Sequence, residues 1–241
     1  MTVPVLPGDL DVVRGDLQRV ATHVLARRRH ALTGHVGLRA SPGGCAMPAA
    51  GRDAEVLRTD GDLLVVERAG GALAVPMTTL AGLAAIADVD LDAPFPAAGD
   101  HAPPVGDPDA PLRVSAEGGR ALGAWWSFTT TVLDDIAAWL GRAADPTPVQ
   151  LWPEHFDAAC DVAWGPAEGM RANLGGSAGD AFHPEPYLYV GPWGGERPGD
   201  EAWWNAPFGA LLGHSALAAA RDPHEAATAF MRRSLELLAA G

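Results

Sequence analysis

Two short stretches of the chain each place a histidine two residues before a carboxylate, among aromatic residues and prolines. LWPEHFD (151–157) contains His155 and Asp157, and HPEPYLYVGPW (183–193) contains His183 and Glu185. Imidazole and carboxylate groups exchange protons in acid–base catalysis and are also ligands for zinc, iron or manganese. If the fold brings the two pairs together, they would form the polar wall of a small-molecule pocket that also suits a divalent metal.

The sequence FDAACDVAW alternates apolar and polar residues and predicts a strand over 156–164. The residues on its buried face would include Phe156, Cys160 and Val162. His155 and Asp157 would then lie side by side on the less apolar face. A helix that begins at Pro153 is the alternative, and it would separate the two side chains.

A structural interpretation competes with this site. His155 and Asp157 would then line a solvated strand face. The prolines on either side of Glu185 would confine that residue and His183 to a sheet edge or to the start of a strand. The motifs His-x-Asp and His-x-Glu are short, and the HExxH pattern of zinc proteases does not occur in the sequence.

A third pattern, Gly175-Gly176-Ser177-Ala178-Gly179, matches the G-x-S-x-G motif of serine hydrolases. That motif requires a strand before the serine and a helix after it, because the sharp turn exposes the hydroxyl. RANL before it is a weak strand sequence, and the prolines of DAFHPEP exclude a helix after it. A serine hydrolase using Ser177 is therefore the weaker alternative, and a glycine loop at a pocket rim is favoured.

Aromatic residues are concentrated in the same half of the chain. Most tryptophans are expected in the core. Tyr187, Tyr189 and Trp193, together with Ser177 in the glycine-rich segment, are nevertheless candidates for the wall of a ligand pocket.

Local patterns predict an α+β fold in which antiparallel strand clusters pack against a few long helices. The first predicted elements are a helix over 9–29, a strand over 34–40 and a three-stranded meander over 55–75 with turns at Asp60-Gly61 and Gly70-Gly71. A short helix capped by Thr78 or Thr79 and a long helix capped by Ser115 follow. The last elements are two or three strands over 149–191 and a helix from Asp222 to about Ala240.

Three segments follow from this order. Residues 1–87 would form a helix-plus-meander half, and residues 112–241 an α+β half that carries the candidate site. Residues 88–111 are acidic and rich in proline, and they predict a linker or surface loop without regular structure. One compact domain overall is the alternative.

The formal net charge of −13 disfavours binding to nucleic acid or to an anionic membrane surface. The stretch over 121–140 carries two aspartates, so it predicts a core helix and not a membrane span. No basic region followed by an apolar run is seen at the start, and Cys45 and Cys160 are too few for a disulfide framework. A cytoplasmic protein with two free thiols is expected.

The runs VQLWPEHFDAACDV, GDAFHPEPYLYVGPW and DPHEAATAFMRRSLELL resemble an uncharacterised bacterial family from high-GC genomes. Phe156-Asp157, Gly176-Ser177-Ala178-Gly179 and Tyr187-Leu188-Tyr189 are similar in order to a second family of unknown function, whose pattern lacks the histidine before Phe-Asp. The resemblance implies the order of strand, small-residue loop, aromatic strand and terminal helix, and it implies no activity.

The leading hypothesis is a small-molecule-binding protein or enzyme with a pocket of His155, Asp157, His183 and Glu185. The rival hypothesis, from a different class, is a non-catalytic interaction or structural module whose aromatic residues belong to the core or to an interface.

Overall fold

The computed structural model describes residues 1–165, 169–195 and 197–241. The chain folds into two compact units. We call them the N-terminal unit (Pro4–Ala124 and Leu151–Phe156) and the C-terminal unit (Trp125–Gln150 and Asp157–Gly241, with Met1–Val3). The fold belongs to the α+β class with antiparallel sheets, as predicted. Segment 88–111 lies within the N-terminal unit.

Six α-helices lie in the described part of the chain: α1 (Leu10–Val20), α2 (Arg27–Thr33), α3 (Leu80–Ile86), α4 (Ala116–Leu140), α5 (His214–Ala219) and α6 (Pro223–Ala240). Three predicted helix starts are confirmed by side-chain caps. Thr79 accepts from Gly82 N–H at 3.1 Å, and Ser115 accepts from Gly118 N–H at 3.1 Å. Asp222 accepts the first backbone N–H groups of α6. None of the helices in this part of the chain is long and apolar enough to cross a bilayer.

The helix predicted over 9–29 is continuous but ends later, at Thr33. α1 continues through a π-helical segment, Ala21–Ala26, directly into α2. The C-terminal cap is Gly34, whose φ of +76° is a left-handed conformation that glycine adopts without strain. π-Helical turns are rare inside helices and often accompany a functional or packing constraint.

Side chains of this helix hold residues 88–111, which we call the strap. The strap has little regular structure apart from a 3₁₀ turn at Pro96–Ala98. Four helix residues hydrogen-bond its backbone carbonyl oxygens: Arg19 to Val105 (2.6 Å), His23 to Pro103 (2.7 Å), Arg27 to Asp90 and Ala93 (2.6 and 2.7 Å) and Arg28 to Asp88 (3.4 Å).

Five strands form the sheet of the N-terminal unit, ordered as they occur along the chain: β1 (Arg39–Ser41), β2 (Gly44–Ala46), β3 (Val56–Asp60), β4 (Leu63–Arg68) and β5 (Gly71–Pro76). The predicted three-stranded meander is confirmed. Its turns each lie one residue away from the predicted dipeptides, at Gly61-Asp62 and Ala69-Gly70. The strand predicted over 34–40 begins only at Arg39, and Leu38 before it makes an isolated bridge to Leu151.

The second sheet has the order β10-β9-β8-β7-β6, with these strands: β6 (Gln150–Trp152), β7 (Asp157–Ala163), β8 (Arg171–Ser177), β9 (Tyr187–Pro192) and β10 (Ala210–Gly213). The strand predicted over 156–164 is confirmed as β7, with Phe156, Cys160 and Val162 buried.

One face of the second sheet is apolar and packs closely on α4 within the C-terminal unit. A Cβ on Gly176 would lie only 2.3 Å from Thr129 Oγ1, so glycine permits this approach. Trp125 donates its indole N–H to Ser177 O at 2.8 Å. Four residues along one side of this helix are fully buried: Trp126, Thr129, Leu133 and Ile136.

A side chain forms hydrogen bonds with the outer edge of strand β10. The Asn205 amide donates to Leu211 O at 3.0 Å, and its oxygen accepts from Leu211 N–H at 2.8 Å. Unpaired backbone groups on an edge strand can bind a strand of another chain. Asn205 therefore satisfies one outward-facing pair of backbone groups on this edge.

Candidate ligand site

The strand register places several of the candidate side chains on one face of the second sheet. Asp157 lies opposite Ser177, which in turn lies opposite Tyr187 on β9. Tyr189 is two residues further along β9 and therefore points to the same face. Together with Asp180, which follows β8, these residues form what we call the tyrosine–carboxylate face: Asp157, Ser177, Asp180, Tyr187 and Tyr189.

Both tyrosines of the chain donate their phenol protons to carboxylates on this face. Tyr189 donates to buried Asp157, and Tyr187 donates to Asp180 at 2.5 Å. The two rings are 6.2 Å apart. Each tyrosine therefore fixes the position of one carboxylate.

The phenols act here as hydrogen-bond donors and not as bases. Burial is the main cause that raises the pKa of Tyr187, and the hydrogen bond to Asp180 raises it further. Burial also raises the pKa of Tyr189 well above its usual value, and the charge of Asp157 adds to this effect. Both tyrosines stay neutral at physiological pH, so the negative charge of the face lies on the carboxylates.

The conformation of β8 differs from the prediction at the glycine-rich segment. The sequence predicts a weak strand at RANL and then a glycine loop, and this prediction is wrong because β8 runs through Gly175 and Gly176 to Ser177. A Cβ on Gly175 would lie 2.5 Å from Tyr189 Oη, so the tyrosine ring lies across bare strand backbone. Glycine is needed here to make room for a neighbouring side chain.

Ser177 has the strand that a nucleophile elbow needs but not the helix. β8 ends at the serine, and the residues after it form a non-helical loop. Its Oγ accepts from Gly179 N–H at 3.1 Å and is also hydrogen-bonded with Tyr187. Without the following helix the serine-hydrolase alternative lacks the helix N-terminus that would stabilise an oxyanion.

Aromatic rings that the sequence did not point to surround the two tyrosines. Phe208 stacks on Tyr187, with ring centroids 6.1 Å apart, and Phe182 contacts the edge of Phe208 at 5.6 Å. The Phe182 side chain is 52% exposed. Asp180 accepts the backbone N–H of Phe182 at 2.8 Å, and so it also holds the loop that carries this ring.

His183 and Glu185 lie in the extended segment before β9. The ring of His183 contacts the ring of Tyr187 edge-on at 5.5 Å, so His183 borders the tyrosine–carboxylate face. Glu185 accepts from the Ser215 hydroxyl at 2.6 Å, and this bond is the main cause that lowers the pKa of Glu185. Glu185 thus connects the segment to α5.

His155 does not continue the alternation of β7. Residues 153–156 form a turn, and Phe156 has a φ of +55°, so the strand starts only at Asp157. The prediction that His155 and Asp157 share a strand face is therefore wrong, as is the alternative of a helix from Pro153. His155 is exposed and lies 5.2 Å from the ring of His101 within the N-terminal unit. Asp157 is only 6% exposed.

Trp193 follows β9 and is 58% exposed. Its indole N–H donates to Asn173 Oδ1 at 3.0 Å, and the guanidinium of Arg171 lies 5.9 Å from its ring. Arg171 also pairs with Asp161, so this end of the sheet face carries a neutralised carboxylate.

The described residues contain no group of three or more histidine, cysteine, aspartate or glutamate side chains placed to hold one metal ion. A metal shared by His155, Asp157, His183 and Glu185 is therefore not part of the function proposed below.

Comparisons with protein-family models, with curated proteins and with solved structures find no match to this chain.

Proposed function

We propose that the C-terminal unit binds a small organic cation, such as a protonated amine, on the tyrosine–carboxylate face. The observation that carries this proposal is the pair of hydrogen bonds from Tyr187 to Asp180 and from Tyr189 to Asp157. A carboxylate offers about four lone-pair positions. Asp180 accepts three hydrogen bonds, from the Tyr187 phenol and from the backbone N–H groups of Phe182 and His183, so a position is left for one further donor. Hydrogen bonds from a charged donor to a carboxylate are roughly twice as strong as those between neutral groups.

The aromatic surroundings support the same class of ligand. The face of an aromatic ring attracts a cation through its quadrupole. The exposed ring of Phe182 and the stacked ring of Phe208 lie beside Tyr187, within reach of a ligand bound at Asp180. The net charge of −13 also favours the approach of cations over that of anions.

Calorimetric titration with a panel of primary amines and their isosteric alcohols tests the proposal. We expect the amines to bind more tightly than the alcohols of the same shape, because only the ammonium group donates charged hydrogen bonds. Asp180→Asn should weaken amine binding about tenfold or more, since a lost charge-assisted hydrogen bond costs about 1.5–3 kcal/mol.

Asp161→Asn is the matched control, because Asp161 lies on the same sheet face but is already paired with Arg171. Its amine affinity should equal that of the wild type. Equal binding of amines and alcohols, or an Asp180→Asn variant with unchanged affinity, would contradict the proposal.

The rival proposal is an interaction module, which the exposed rings of Phe182 and Trp193 favour. It predicts that Phe182→Ser and Trp193→Ser reduce self-association in analytical ultracentrifugation. It also predicts that no amine of the panel raises the unfolding temperature. A stabilising amine together with unchanged sedimentation would decide against it.

A further inference from the structure

The C-terminal unit also has an apolar cavity that is open to the surface, with a volume of about 560 Å³, within the size range of small-molecule sites. It is lined by residues of α6, of β10 and of the segment before β10, among them Trp203, Leu211, Leu212, Ala229, Phe230 and Arg233. None of the five residues of the tyrosine–carboxylate face is among its lining residues.

The polar atoms of the cavity wall are mostly used within the protein. Trp203 stacks on Phe230 at 5.7 Å and donates its indole N–H to Ser234 Oγ at 3.0 Å. The Asn205 amide is bonded on both sides to the backbone of Leu211. The wall therefore offers a bound molecule mainly apolar and aromatic surface.

Arg233 is the charged residue that lines the cavity. Its contact with Glu236 is 4.0 Å long and more than half exposed on both sides, and such an ion pair is worth little. The adjacent Arg232 is placed differently, because its guanidinium lies over the ring of Trp139 at 5.3 Å. The guanidinium of Arg233 is thus available to an anion at the cavity.

We propose that this cavity binds a small apolar carboxylate, such as a medium-chain fatty acid. The hydrocarbon body would lie against Trp203, Phe230 and the leucines of β10, and the carboxylate would pair with Arg233. A guanidinium matches a carboxylate in a two-pronged hydrogen bond, which a neutral alcohol cannot make. This site is independent of the proposed amine site, since it differs in residues and in the sign of the ligand's charge.

Calorimetric titration with decanoate and with 1-decanol, below their aggregation concentrations, tests this inference. Wild-type protein should bind decanoate at least about tenfold more tightly than decanol. Arg233→Gln should remove this difference, and Arg233→Glu should weaken decanoate binding further through repulsion. Arg232→Gln is the matched control and should bind decanoate like the wild type.

A second variant tests the cavity itself. Ala229 is exposed on α6 at the cavity, so Ala229→Trp should fill the space without disturbing the core. We expect it to abolish the binding of both decanoate and decanol while the circular dichroism spectrum is unchanged. Unchanged decanoate affinity in Arg233→Gln, or in folded Ala229→Trp, would overturn the proposal.

Discussion

At the scale of single residues, the pairing of a phenol with a carboxylate occurs twice under different conditions. Asp157 is buried, whereas Asp180 is exposed, although each accepts a hydrogen bond from a tyrosine. A buried acceptor that loses a donor cannot replace it with bulk water. The two pairs should therefore differ in their contribution to stability.

We predict that Tyr189→Phe lowers the free energy of unfolding by about 1–3 kcal/mol, because it removes a donor from a buried charged group. Tyr187→Phe is the matched control and should cost less than about 1 kcal/mol, since water can reach Asp180 and Ser177 keeps its hydrogen bond with Gly179 N–H. Urea unfolding followed by circular dichroism measures both values. Equal losses in the two variants would show that burial of the acceptor does not decide the effect.

A second residue-scale prediction concerns His23 on the first helix. A carbonyl oxygen only accepts, so Nε2 carries the proton that is shared with Pro103 O. Nδ1 is buried, with no hydrogen-bond partner among the described residues. Burial is the main cause that lowers the pKa of His23. The charges of Arg27 and Arg19 lower it further, although the Pro103 bond raises it.

Because the folded pKa of His23 lies below the unfolded value of about 6.5, the unfolded chain binds a proton first as the pH falls. The stabilisation from neutral His23 is therefore complete above about pH 6.5 and is lost as the pH falls toward the folded pKa. It amounts to about 1.4 kcal/mol for each unit of difference.

Urea unfolding between pH 7 and pH 5 should show this decrease, and His23→Gln should remove that part of the slope. His35→Gln, at an exposed position, should retain the slope. If His23→Gln keeps the wild-type dependence of the free energy of unfolding on pH, other groups cause the decrease.

At the scale of elements, glycine has opposite roles in β8 and in α1. A Cβ on Gly175 would lie 2.5 Å from Tyr189 Cζ, which is closer than van der Waals contact allows. A Cβ on Gly15 of α1 would have no neighbouring atom within 4 Å. Glycine in a helix interior costs roughly 0.5–1 kcal/mol relative to alanine. Packing therefore decides whether alanine at position 175 raises or lowers the free energy of unfolding, and helix propensity decides this at position 15.

We predict that Gly175→Ala lowers the free energy of unfolding by about 1–3 kcal/mol through overpacking. Gly15→Ala should raise it by about 0.5–1 kcal/mol. Thermal and urea unfolding of the two variants measure these opposite shifts. A stable Gly175→Ala protein would mean that Tyr189 can move away from β8 at little cost.

Elements whose signals are local were predictable from sequence. Thr79, Ser115 and Asp222 start their helices with their own side chains, and the turns of the first sheet lie within one residue of the predicted Asp-Gly and Gly-Gly pairs. β8 was not predictable, because glycine disfavours strands unless a neighbouring side chain needs the space.

The candidate site was predictable in part, for a similar reason. Strand alternation placed Asp157 on the less apolar face of its strand, since alternation is a local property. Tyr187 and Tyr189 were candidates for a pocket wall only because they are aromatic. The prediction failed at His155 because the left-handed conformation of Phe156 interrupts the alternation. Phe208 joins the site from a distant part of the chain, and no local pattern indicates such a contact.

At the scale of the whole molecule, each compact unit contains one of the two cysteines of the chain. Cys45 lies in the N-terminal unit and Cys160 in the C-terminal unit, and both are buried free thiols. Burial raises the pKa of each thiol to about 12, and the charges of Asp161 and Asp134 add to this for Cys160. Only the thiolate reacts with alkylating agents.

We predict that neither cysteine is alkylated by iodoacetamide at pH 8 in the native protein. Each should react only when its own unit opens. Pulsed alkylation across a urea series, followed by peptide mass spectrometry, gives a separate opening curve for each unit. Labelling of either cysteine within minutes under native conditions would contradict this expectation.

The amide of Asn205 has a consequence for how the protein behaves in a crowded solution. Because the Asn205 amide occupies both backbone groups of Leu211, this part of the β10 edge is a poor template for a strand from another molecule. An intruding strand would first have to displace two hydrogen bonds. Strand addition at this part of the edge should therefore begin only when the segment that carries Asn205 detaches, and the shelf life of a concentrated sample would depend in part on this side chain.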